Sequence, residues 1–188
     1  MNKNYDFSKY KVSIKETSYD DAQNEYMTES QIEVIDFDKV KEEYICTLKL
    51  SEPPKSCDSL YMNGDEKIFI EFKNGKVKPF EVRKKIYDSI LIFSDLIKCG
   101  ISETRAEIEY ILVYNHEANK NNKDYNFDPK TNIQESDEYD LLSKIISENA
   151  KEHILKFKLN DFKNYLVKNI YTYNKEEFED KFIKKRQL

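Results

Sequence analysis

The 188-residue chain is 39% hydrophobic and 36% charged, and Tyr and Phe supply its 13% aromatic content. That balance excludes a disordered chain and is enough for one domain, residues 1–188, with a sizeable core. A net charge of −5 excludes a global electrostatic footprint for nucleic acid, so any such binding needs a local basic stripe.

The first residues, MNKNYDFSKYKVSIKE, contain no apolar h-region, and no apolar run is long enough to span a bilayer. Neither a signal peptide nor a membrane partner is expected. Cys46, Cys57 and Cys99 are an odd set without C-x-x-C spacing, which points to a reduced, cytoplasmic protein. His116 and His153 are far apart and lack nearby Cys, so zinc is not expected.

In chain order, Asp20 to Met27 reads as a short helix that Ser18 caps. Gln31–Phe37 alternates and predicts a strand. Tyr44–Leu50 predicts a second strand, with Asp38–Glu43 as a turn or helical turn between them. Pro53-Pro54 closes that unit, and a β-hairpin follows over 57–73. From Phe80 to Lys98 the residues Phe80, Ile86, Ile90, Phe93 and Ile97 recur at helical spacing, with Val82, Leu91, Ile92 and Leu96 widening the stripe. Pro79 starts that helix and Cys99-Gly100 stops it. Ala106–Asn115 is an apolar strand, and 116–137 is a long polar loop. Tyr139–Ala150 predicts a helix, Ile154–Leu159 a strand, and Asn160–Val167 a helical turn or further strand. Ile170–Tyr173 predicts a strand and Lys175–Lys185 a terminal amphipathic helix. Period-2 and period-3.6 segments alternate, so the expected class is α/β, a central mixed sheet flanked by helices.

The hairpin carries the chemistry. Ile68, Ile70 and Phe72 alternate with Phe69, Glu71 and Lys73, so the two sets face opposite ways. Asn63-Gly64 supplies a tight turn. With a loop spanning Asn63 to Glu66, Met62 pairs with Lys67 and Asp58 lies opposite Glu71; with a two-residue Asn-Gly loop, Asp58 lies opposite Phe69. Either even loop puts Asp58, Glu71 and Lys73 on one face, within about 5–8 Å. Carboxylates that close repel unless a cation sits between them, and such oxygen ligands suit Mg²⁺ or Mn²⁺. Lys73 would then orient the attacking water and offset charge developing on phosphate. Downstream, Lys76, Lys78, Arg83, Lys84 and Lys85 form a local basic stretch fit to contact a nucleic-acid backbone. Taken alone, Glu-x-Lys in a strand is more often a solvated face, and Lys84 and Lys85, each taken singly, suit a solvated helix face better than a phosphate contact.

In its order of strand, Asp-bearing strand, Glu-x-Lys strand, helix and strand, the chain resembles the PD-(D/E)XK superfamily, the restriction-endonuclease-like fold. The resemblance covers about residues 44–115. It implies a nuclease-like core there, a C-terminal α/β extension over about 138–188, and the intervening loop. It also implies that Asp58 and Glu71 bind the metal and that Lys73 is the catalytic lysine. Cys57 stands where the family has Pro before the Asp. Many members add a helical Glu upstream; Glu42 or Glu43 would fill that place, but Tyr44–Leu50 read as strand leaves little helix for it. Two functions follow: a metal-dependent nuclease acting on DNA or RNA, or a non-catalytic nuclease-like module, such as an immunity, antitoxin or defence-associated protein, that binds a protein through its acidic surface. Nothing in the sequence sets an oligomeric state.

Overall fold

The computed structural model describes residues 5–46, 48–122 and 156–186. Six strands form a mixed sheet: β1 (Lys11–Ser13), β4 (Glu33–Asp36), β5 (Ser59–Asn63), β6 (Glu66–Lys73), β7 (Ile108–Tyr114) and β8 (Asn169–Asn174), in the spatial order β1-β4-β5-β6-β7-β8. The first four run antiparallel to their neighbours, while β7 pairs in parallel with both β6 and β8. Two short strands, β2 (Tyr19–Asp20) and β3 (Glu25–Tyr26), make a separate ribbon.

Helices cover the sheet. They are α1 (Ile14–Thr17), α2 (Phe37–Ile45), α3 (Pro79–Ile97), α4 (Ile101–Glu107), α5 (His116–Asn119) and α6 (Lys175–Phe178), the last continuing in helical turns to Arg186. The alternation read in β6 sets the layering. Phe69 joins Leu60, Tyr110, Leu112 and Tyr114 under Val82, Ile86, Ile90 and Phe93 of α3. Ile68, Ile70 and Phe72 join Ile111 and Val113 on the other face, under Phe178, Phe182 and Ile183. Fully burying each such side chain contributes roughly 1.5–3 kcal/mol. Strand β6 is therefore a central strand covered on both faces, and β8 pairs with β7 in the same sheet, with Phe178, Phe182 and Ile183 of the C-terminal helical turns packed against it.

Helix α3 has Pro79 in its first turn and ends at Lys98 in the left-handed conformation. Its inward stripe is narrower than the sequence suggested, because Phe80 and Leu91 face solvent at 75% and 62% exposure.

Three expected elements are replaced. Residues 20–27 form the β2–β3 ribbon, not a helix. The capping box of Ser13 and Glu16 starts the local helix earlier, at Ile14. Asp20 instead accepts the N–H of Ala22 in a turn, Asn24 takes a left-handed φ of 53°, and Tyr19 and Tyr26 meet at 4.8 Å. The Tyr44–Leu50 strand is absent. Asp36 accepts the Lys39 N–H at 3.1 Å and launches α2, which buries Phe37 and Val40 and runs through Tyr44. Strand β4 already has β1 and β5 on its two edges, so a strand following it in the chain could not pair with β4. In place of the Ile154–Leu159 strand, Lys156–Lys158 is a 3₁₀ turn with Phe157 and Lys158 at φ 63° and 55°, angles no strand accommodates. The helix expected at Tyr139–Ala150 and most of the 116–137 loop lie outside the described residues; the loop's start is α5. The helical turn expected after it is the 3₁₀ turn Asn160–Phe162.

The hairpin pairs Met62 with Lys67 and Asn63 with Glu66, the register that sets Asp58 opposite Glu71. Gly64 carries the positive φ of 56° that this turn needs, and a Cβ there would meet nothing within 4 Å. The cost of replacing it is thus purely conformational. Gly64→Val is expected to lose about 1–2 kcal/mol in urea unfolding, and Gly64→Asn distinctly less. Equal losses for the two variants would show that the turn does not depend on the left-handed conformation.

Candidate functional site

The hairpin register and α3 bring four charged side chains to one point. Asp58 lies just before β5, one step beyond the Ser59–Ile70 pair, and so across from Glu71. Two contacts to α3 fix this approach: Asp88 accepts the Lys55 N–H and Ser89 Oγ accepts the Cys57 N–H, each at 2.8 Å. Asp58 Oδ2 then accepts the Phe72 N–H at 2.6 Å, which locks the carboxylate to the strand carrying Glu71.

Lys85, on the second turn of α3, reaches between the two acids. Its Nζ stands 3.0 Å from Asp58 Oδ1, 2.9 Å from Glu71 Oε2 and 2.7 Å from Glu71 Oε1. Lys73 Nζ lies 2.7 Å from Glu71 Oε1. The carboxylates do converge on a shared cation, and in this structure it is the ammonium of Lys85. The sequence reading put Lys85 on the helix surface as a phosphate contact. The structure buries it instead, with its side chain 16% exposed. The helical period separates the two placements: Lys85 stands three residues after Val82 and four before Ser89, on the buried side of α3, whereas Lys84 lies on the side of exposed Tyr87 and Leu91.

Glu71 is wholly inaccessible. Burial first, and the charge of Asp58 second, push its carboxyl up to about 7 against the pull of Lys85 and Lys73. For Lys85 the cost of burial is outweighed by the two carboxylates, which hold its ammonium above the usual range. Glu71 Oε1 lies 2.7 Å from both ammoniums, so the buried carboxylate is ion-paired on this oxygen to Lys73 and Lys85 together. Cys57 and Tyr110 are buried beside this cluster. Burial and then the Glu71 charge push the Cys57 thiol up, so it is a protonated packing residue and not a nucleophile.

The site opens on one side. A cleft of about 670 Å³ is lined by Asp58 and Lys73 and walled by α2 and the segment leading into β2. The helix that the strand reading denied is present, and its Glu42 faces this cleft, whereas Glu43 pairs with Lys9 at 2.5 Å. Asp20, Asp21, Asp36 and Asp38 also line it, against Lys39 and Lys73. A smaller depression, of about 480 Å³ beside Tyr26–Ser30 and Lys175, touches none of the four clustered residues.

Of the other basic residues, Arg83 is committed inward. It donates to the Lys158 carbonyl at 2.6 Å and to Asp161 at 2.8 Å, and it stacks over Phe162. Lys76 and Lys78 are exposed on the segment between β6 and α3, and Lys84 is half-buried. Tyr110 and Tyr114 are core residues, and exposed His116 begins α5. No helix among the described residues is long and apolar enough to cross a membrane.

Among the described residues no three Asp, Glu, His or Cys side chains gather as a metal cage. Asp58 and Glu71 are a two-carboxylate set, which is the donor number Mg²⁺ uses when water and substrate phosphate complete its shell. Comparison with protein-family models, with curated proteins and with solved structures finds no match.

The raised carboxyl of Glu71 has a signed consequence for stability. Its folded value of about 7 lies above the ordinary 4.5, so its contribution is fully present below pH 4.5 and is lost as pH rises through 7. Glu71→Gln mimics the protonated form and lacks this dependence. Between about pH 5 and 8 the variant should gain roughly 1–3 kcal/mol relative to the unsubstituted protein in urea titrations. A gap that stays constant from about pH 5 to 8 would mean that the lysines hold Glu71 ionised throughout.

Proposed function

We propose that the chain is a divalent-metal-dependent nuclease of PD-(D/E)XK type that hydrolyses phosphodiester bonds of DNA or RNA. The observation that carries this reading is the convergence of Asp58 and Glu71, from adjacent strands, on one cation position within 3.0 Å, with Lys73 against Glu71. The element order supports a restriction-endonuclease-like core. Strand β4 precedes β5 with Asp58 at its entry, β6 with Glu71 and Lys73 follows, then α3, then β7 parallel to β6.

Asp58 and Glu71 would hold the cation, which supplies Lewis-acid polarisation of a phosphate oxygen and of a bound water. The protein's own groups do the rest. The Phe72 N–H and Ser89 keep Asp58 aimed at the site. Lys73 has a side chain 30% exposed and lines the cleft, so its ammonium can donate to an attacking water or to a non-bridging phosphate oxygen. Exposed Lys76 and Lys78 follow directly after it and offer contacts to neighbouring phosphates.

A second reading, a non-catalytic nuclease-like module that binds a protein, is favoured by the acidity of the cleft, since its carboxylates repel phosphate and attract a basic segment. Labelled single- and double-stranded DNA and RNA, incubated with Mg²⁺ or Mn²⁺, separate the two. The nuclease reading expects cleavage that chelator abolishes and that Lys73→Ala slows by at least about 100-fold, with its circular dichroism unchanged. Absence of cleavage on every substrate, together with salt-sensitive binding of a Lys-rich peptide in the cleft, would establish the binding module instead.

A further inference from the structure

We infer that Lys85 is a tethered cation that holds the divalent-metal position in the metal-free protein, so that a metal enters only by exchange with its ammonium; this rests on the nuclease reading above. Three oxygens from two strands surround Lys85 Nζ at 2.7 to 3.0 Å, which makes it the occupant of the point both carboxylates address. Lys73 does not share that place, because its ammonium contacts Glu71 alone. Without Lys85, two closely placed carboxylates would face each other in a region that excludes water, where like charges repel most strongly.

The helix holds the stem of Lys85 but not its tip. Four rotatable bonds separate the ammonium from α3, so it can leave without any shift of the backbone. Asp58 lines the cleft and Glu71 does not, so the exchange runs past Asp58. Asp58, Glu71, Lys73 and Lys85 together are neutral. Once a divalent ion takes the shared point, the ammonium of Lys85 is released toward a cleft whose carboxylates outnumber its lysines. Metal loading and the charge offered to a phosphodiester are thereby coupled: the metal-free cleft repels the substrate, and the loaded one carries an added cation at its base.

The test is Mn²⁺ binding by calorimetry to the unsubstituted protein, Lys85→Met and Lys85→Gln, with circular dichroism on each. The glutamine variant keeps a hydrogen-bond donor between the acids and guards against loss of fold in the methionine variant. At least about tenfold tighter Mn²⁺ binding in both variants is expected, since neither carries a competing charge. In the unsubstituted protein, the ¹⁵Nζ resonance of Lys85 should change from a slowly exchanging buried ammonium to an exposed one as Mg²⁺ is added. Equal or weaker binding in the variants, or an unchanged Lys85 resonance at saturating Mg²⁺, overturns the inference and leaves the nuclease reading intact. Binding by the variants alone would show that the ammonium of Lys85 is never displaced, which overturns both the exchange and the nuclease reading. Binding by none of the three at millimolar Mn²⁺ overturns both.

Discussion

Glu71 sits on a strand covered on both faces, and a carboxylate there has no water to solvate it. Ionised and alone it would cost several kcal/mol, far more than any single surface ion pair returns. The surrounding architecture answers that cost. Strand β6 fixes the height of Glu71, the hairpin brings Asp58 beside it, and α3 carries Lys85 to the same level. The contacts of Asp88 and Ser89 to the chain before β5 are the supports of that arrangement, since they set how far Asp58 reaches toward β6. A buried ionic cluster of this kind is weak as a source of stability compared with apolar packing of equal volume.

The face shared by Asp58, Glu71 and Lys73 was legible in the sequence, because the period of 2 from Ile68 to Phe72 set the faces and either even loop near Asn63-Gly64 kept the parity. The register itself stayed open between two loops, and the structure takes the one that pairs Met62 with Lys67. Helix α3 was legible for a similar reason, with Pro79 and a long apolar stripe pointing to one span. The missed elements are those where local propensity and tertiary demand diverge. YICTLKL has the residue types of a strand, but the Asp36 cap and the burial of Phe37 and Val40 commit the chain to helix before Tyr44 is reached. The polar stretch at 20–27 has no helical stripe to bury, and a turn with a Tyr19–Tyr26 contact uses it instead. Lys85 was misplaced for a different reason. A lysine beside a lysine at a helix start reads as surface, although the spacing of Lys85 from Val82 and Ser89 places it, and not Lys84, on the buried side of α3.

The acidic cleft and the phosphate chemistry stand in tension, and the tension has a definite location. It lies in α2 and in the segment entering β2, not in the strands that carry Asp58, Glu71 and Lys73. Glu42 belongs to both accounts: in the proposed nuclease it would add a helical carboxylate to the cleft beside Asp58, and as one of several acids it adds to the repulsion of an anion. Lys39 and Lys73 line the cleft, and exposed Lys76 and Lys78 follow just after its lining residues Asn74 and Gly75.

The sequence separations of these contacts bear on the order in which the chain assembles. Lys85 meets Glu71 across 14 residues and Asp58 across 27, whereas the outermost strand is secured by contacts such as Asn169 to Glu109 across 60. Closing the longer loop costs roughly 1 kcal/mol more in chain entropy than closing the shortest. The hairpin and α3 can thus pair their charges as a nearly local event, while β8 must await a distant docking step. The part of the molecule with the most expensive electrostatics is the part that can be completed soonest, so its acids need not stay exposed and unpaired while the sheet's far edge is still finding its place.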